Sequence, residues 1–99
     1  MYKILNMFIA EINGESMLPY LSSGTKCLCE KKNKNMIIKE NDIIVFKKDN
    51  HLIIHRVKSK VSFGKNHFYY ETQGDNNPVK DPFVVFESEI AGIFVRKMI

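Results

Sequence analysis

The chain is poor in cysteine: Cys27 and Cys29 are its only two, among 99 residues. A Cys-x-Cys pair on a strand projects both thiols to one face, too close in sequence for an unstrained bridge, so no disulfide framework holds this protein together. Two small apolar core residues and a reducing, cytoplasmic setting are the expectation. Nor does any apolar run approach the ~20 residues that a membrane-spanning helix requires. The apolar residues of the first ten positions (Ile4, Leu5, Met7, Phe8 and Ile9) stop at Glu11 and follow no strong basic stretch. They read as a first structural segment rather than a secretory signal, and membrane contact is expected only through them or a partner. Internal repeats, linkers, low-complexity tracts and a long amphipathic helix are all missing, which excludes solenoids, disordered chains and bundles.

What remains is an ordinary globular composition, 44% hydrophobic and 26% charged. A chain this short supports one core, and a single domain over 1–99 is expected. Fifteen Lys and Arg against eleven Asp and Glu leave a net charge of +4. The densest basic cluster, Lys26, Lys31, Lys32 and Lys34, lacks interleaved aromatics and sits by an Asn-containing stretch, so it reads as a solvated loop rather than a nucleic-acid surface.

Short β-type runs punctuated by turn residues cover most of the chain. Strands are expected at 8–12, 25–30, 42–47 and 52–57, with a hairpin joining the last two through Lys48, Asp49 and Asn50. Val61 with Phe63, and then Phe68 to Thr72, suggest another pair; Val84 to Phe86 and 90–95 supply the last strands. One helical turn is expected around Pro19. The polar run 74–80 has turn chemistry and leaves Asp81 at its exit. These features predict a mainly β, single-domain fold with little helix and barrel-like closure.

A serine hydroxyl becomes a useful nucleophile when a base takes its proton and a third group orients that base. Ser16 after a tight turn, His55 in a strand, and Asp75 or Asp81 in the following loop are the candidates. His51 and His67 carry only surface readings, and no histidine or cysteine spacing points to a metal. No cofactor is expected.

The local contexts narrow the choice. Gly14-Glu15-Ser16-Met17-Leu18-Pro19-Tyr20-Leu21 resembles the Gly-x-Ser-Met-x-Pro-x-Leu box of the signal peptidase I family. Asn41-Asp42-Ile43-Ile44-Val45-Phe46 is similar to its Gly-Asp-Ile-Val-Val-Phe strand, and His55-Arg56-Val57 to the His-Arg-Val box of the endoplasmic-reticulum subfamily. Thr72-Gln73-Gly74-Asp75-Asn76-Asn77 is similar to its Thr-Lys-Gly-Asp-Asn-Asn box, and Glu89-Ile90-Ala91-Gly92-Ile93-Phe94-Val95 to its closing strand. Self-cleaving repressors of the SOS type share that fold but use a Ser and Lys dyad; Lys58 and Lys60 are the lysines near His55.

The resemblance implies a β-fold serine peptidase that cleaves leader or signal peptides after small residues, with Ser16 as nucleophile, His55 as general base and Asp81 as the orienting acid. It implies supporting roles for Asp75 and for Met17 and Pro19 as shapers of the nucleophile's turn; Arg56, which strand alternation points away from His55, is expected to pair with a carboxylate, Asp75 being the candidate. Gly14 stands where many signal peptidases place a serine hydroxyl as second oxyanion donor, which leaves that task to a backbone amide. The expected partner is an extended peptide or preprotein. The alternative is a noncatalytic β-module that kept the peptide groove and lost the reaction.

Overall fold

A computed structural model describes residues 6–98 of the chain. Seven strands form one antiparallel sheet: β1 Met7–Glu11, β2 Lys26–Lys31, β3 Ile43–Lys48, β4 His51–Ser62, β5 Phe68–Gln73, β6 Val84–Phe86 and β7 Ile90–Lys97, in the spatial order β1-β2-β7-β3-β4-β5-β6. The β3–β4 hairpin turns at Asp49 and Asn50, whose φ values of 49° and 66° belong to the tight turn that matches strand twist. β4 is longer than expected: the predicted run at 52–57 and Val61 belong to one strand of 12 residues, with Phe63 just beyond its end. Lys58, Ser59 and Lys60 hide its continuity by interrupting the apolar alternation, and a bulge lies between Val57 and Ser59.

β3 explains how one sheet yields a core. Its residues Ile43, Ile44, Val45 and Phe46 are all buried, and alternation sends them to opposite faces. Ile43 and Val45 join Ala10, Ile12, Met17, Leu21, Cys27, Cys29 and Ile54 in one cluster. Ile44 and Phe46 join Ile38, Val57, Tyr70, Val85 and Ile90 in a second. Bulges between Leu28 and Cys29, between Val45 and Phe46, and in β4 sharpen the local twist, so the sheet coils over its own two faces.

The expected barrel-like closure is not formed. β1 and β6 are the two ends of the sheet, and β6 pairs only with β5, over the three residues opposite Tyr69, Tyr70 and Glu71. Phe86 passes directly into a 3-10 turn at Glu87–Glu89, which leaves β6 too short to reach another strand.

The apolar positions Ile4 and Leu5 lie outside the described residues. No helix among the described residues is long and apolar enough to cross a membrane. The basic cluster is only partly a loop: Lys26 and Lys31 lie on β2, Lys26 is 3.8 Å from Glu11, and Lys32 pairs with Glu87 at 3.0 Å.

Candidate active site

Ser16 is presented by a turn whose conformation is set on both sides. Before it, Gly14 adopts φ +88°, where a side chain is strained although a Cβ would meet nothing within 4 Å. The Gly14 amide donates to Ser23 Oγ at 3.1 Å. After it, the amide of Leu18 donates to Glu15 O at 3.2 Å and that of Leu21 to Met17 O at 2.9 Å. This is the helical turn expected around Pro19, limited to turn geometry; the Leu18–Pro19 bond is cis. Met17 and Leu21, 1% and 0% exposed, plug the turn into the first core cluster.

His55 lies on β4 opposite Ile44, and its ring meets Phe46 edge-on at 6.4 Å. The site therefore straddles the two clusters, with Ser16 on the first and the imidazole on the second. His55 Nε2 is 3.0 Å from Ser16 Oγ, and His55 Nδ1 is 2.7 Å from Asp81 Oδ2. A carboxylate only accepts, so Nδ1 carries the ring proton and Nε2 is left to accept from the Ser16 hydroxyl. The Asp81 amide donates to Thr72 O at 2.8 Å, and the Thr72 hydroxyl donates to Asp81 Oδ2 at 2.7 Å.

The 74–80 loop fastens these parts together. The Asn76 amide donates to Ser16 O at 2.8 Å, its side-chain amide to Glu15 O at 3.1 Å, and the Asp75 amide to Met17 Sδ at 3.4 Å. Gly74 is the contact point: a Cβ there would stand 2.7 Å from Ser16 O. Arg56 points away from His55 and grips Asp75 with two bonds of 2.8 Å, from Nε and from a terminal nitrogen. Its other terminal nitrogen donates to Asn41 O at 2.9 Å. The hydrogen bond to Asp75 outweighs burial and pushes the Arg56 pKa above its ordinary value. Asn41 has φ +77°, which accounts for glycine at that place in the resembled strand.

The predicted residues thus fall into one constellation: Ser16, His55 and Asp81 hydrogen-bonded in sequence, Asp75 and Arg56 as an ion pair beside them, and Gly14, Met17 and Pro19 in the Ser16 turn. His51 hydrogen-bonds the Asp49 carbonyl and His67 stacks near Phe63, so neither joins. Lys60 donates to Ile38 O at 2.9 Å, away from Ser16, and Lys58 is exposed. Sequence alone assigns no role to Thr72, Gly74 or Asn76. Their signal was present in the quoted box, but Thr72 reads as an ordinary β-branched strand residue and the other two as turn formers. No group of three or more His, Cys, Asp or Glu that could hold a metal exists among the described residues.

A cleft of about 210 Å³ opens at the Ser16 hydroxyl, between Glu11, Ile12 and Asn13 on one side and Leu52, Ile53, Ile54 and His55 on the other. Both walls carry strand edge that no described strand pairs: among the described residues β1 pairs only with β2, and β5 begins to pair with β4 at Arg56, so residues 52–55 of β4 are paired on the β3 side alone.

Among curated proteins, none matches this chain. The Peptidase S24-like family profile matches residues 3–95, nearly the whole sequence. A mainly β domain with a serine poised at an open cleft agrees with that match, and the chain belongs to the Peptidase S24-like family.

Proposed function

We propose that this protein is a serine endopeptidase of the signal-peptidase-like kind, cutting leader or signal peptides after small residues with Ser16, His55 and Asp81. The observation that supports this most directly is the unbroken pair of contacts, 3.0 Å from Ser16 Oγ to His55 Nε2 and 2.7 Å from His55 Nδ1 to Asp81. An extended peptide adds a strand to the free edges of β1 and β4, which brings its scissile carbonyl over Ser16. Ser16 Oγ attacks, Nε2 takes the hydroxyl proton, and Asp81 stabilises the imidazolium. The Ser16 amide helps hold the oxyanion. Nε2 then protonates the departing amine, and water, deprotonated by the same nitrogen, releases the acyl group. The finer kinship, with the endoplasmic-reticulum signal peptidases, rests on histidine rather than lysine facing the serine.

The test is cleavage of extended peptides with small residues before the cut. Ser16→Ala, folded as judged by circular dichroism, abolishes turnover and uptake of a serine-directed phosphonate; turnover equal to wild type rules the reading out. The base acts only as a neutral imidazole, so activity is lost in acid. The noncatalytic alternative draws on Gly14, which removes a family hydroxyl from the site. Peptide binding that survives Ser16→Ala, with no cleavage by wild type, decides for it.

A further inference from the structure

We infer that Thr72 is a positioning residue for the histidine, acting through Asp81; this rests on the peptidase reading only for its effect on turnover. Thr72 stands opposite Val57 in the β4–β5 ladder, two positions along β4 from His55, which places its side chain on the face that carries the imidazole. It is completely buried.

Its hydroxyl donates to Oδ2 of Asp81, the same oxygen that accepts the imidazole proton, and both contacts measure 2.7 Å. The Asp81 amide returns a bond to the Thr72 carbonyl at 2.8 Å. Thr72 therefore holds Asp81 at two points, main chain and carboxylate, and closes the base of the 74–80 loop. The Asp81 side chain is only 8% exposed, so little solvent is at hand to replace a lost donor.

Two consequences follow from one oxygen serving two donors. The carboxylate cannot rotate without breaking both bonds, so the lone pair facing Nδ1 is fixed, and with it the tautomer that leaves Nε2 free. The threonine also takes part of the negative charge that would otherwise act on the imidazolium alone. Removing the hydroxyl loosens the orientation and strengthens the pull on a protonated ring whenever the two groups meet. The charged groups on the surrounding elements include Glu11 at the end of β1, Glu15 in the Ser16 turn, the Arg56–Asp75 pair, the Lys80–Glu71 pair beside Asp81 and Thr72, and the Lys48–Glu89 pair at the end of β3, none of which the substitution removes.

The experiment compares wild type with Thr72→Val, which keeps the shape and removes the donor, and Thr72→Ser, which keeps the donor. Proton NMR titration of the His55 ring is read alongside kcat and KM. In Thr72→Val the His55 midpoint moves up and kcat falls about 10- to 100-fold at unchanged KM, the loss expected for a hydrogen bond to a charged group. Thr72→Ser restores both. An unmoved midpoint, an unchanged kcat, or a Thr72→Ser defect equal to that of Thr72→Val overturns the inference. Should Thr72→Val not fold, Thr72→Ala is read against Thr72→Ser by the same criteria. If wild type cleaves no peptide and takes up no phosphonate, the peptidase reading falls, and the His55 titration alone still decides the role of Thr72.

Discussion

The carbonyl of Ser16 accepts the amide of Asn76 at 2.8 Å, so the loop that ends in the acid is bolted to the turn that carries the hydroxyl. That bond spans 60 residues of sequence and depends on Gly74, which lets the two backbones approach. In Gly74→Ala the new methyl would sit 2.7 Å from Ser16 O and 2.8 Å from the Asn77 side chain. The loop has to lift away. Expected are a stability loss of about 1–3 kcal/mol in urea melts and a much larger fractional loss of phosphonate labelling. Wild-type labelling in Gly74→Ala would show that the contact does not hold the site.

Met17 offers a separation of packing from chemistry. It is 1% exposed, and its sulfur accepts the Asp75 amide. Met17→Ala leaves a cavity under the Ser16 turn and costs about 2–5 kcal/mol. Met17→Leu keeps the volume and costs less than about 1.5 kcal/mol. Equal losses in the two variants, measured by chemical denaturation, would mean that the sulfur contact rather than the volume carries the effect.

The thiols should be inert while the protein is folded. Cys27 and Cys29 are fully buried, and burial, with the neighbouring Cys27 adding to it, pushes the Cys29 pKa up to about 11. At mildly alkaline pH an aromatic disulfide reagent is expected to label neither until denaturant is added, after which both react. Rapid labelling without denaturant would contradict this burial.

Acid should weaken the fold through carboxylates far from the cleft. Burial raises the Glu87 pKa, but hydrogen bonds from Tyr70 and Lys32 outweigh it and hold the carboxyl below its ordinary value of 4.5. Glu89 is lowered in the same way, burial being outweighed by Lys48 and the Phe86 amide. A lowered folded-state pKa adds stability that is whole above 4.5 and is lost as pH falls through the folded-state values beneath it. The urea midpoint should therefore decline below that pH, and less steeply in Glu87→Gln. Identical acid slopes for the two proteins would remove Glu87 from the account.

Much of this was legible from residue order. The Asp49–Asn50 turn, the buried Cys-x-Cys strand and the polar 74–80 loop follow from local chemistry, because each depends on residues adjacent in sequence. Barrel closure was not, since it depends on whether β6 is long enough to find a second partner, and the turn after Phe86 ends it. Ile38 is 1% exposed, yet no expected strand contains it; a loop crosses the second cluster there without regular pairing. At the site, Ser16 and His55 could be proposed from chemical type and context. Asp81 is reached through resemblance alone, because nothing local distinguishes it from Asp75. Strand alternation already suggests the Arg56–Asp75 pair, whereas Thr72 engaging Asp81 is visible only in the folded chain.

The strand order carries a further consequence for biosynthesis. β1 and β2, with the serine between them, make one patch of sheet, and β3 to β6, with the imidazole and the acid, make another; the strip that stitches the two patches is β7. All three side chains of the constellation have been translated by residue 81, yet the ladder uniting them waits for Ile90–Lys97 to leave the ribosome. The hydrogen-bonded sheet around the constellation is therefore continuous only once β7 is threaded into place.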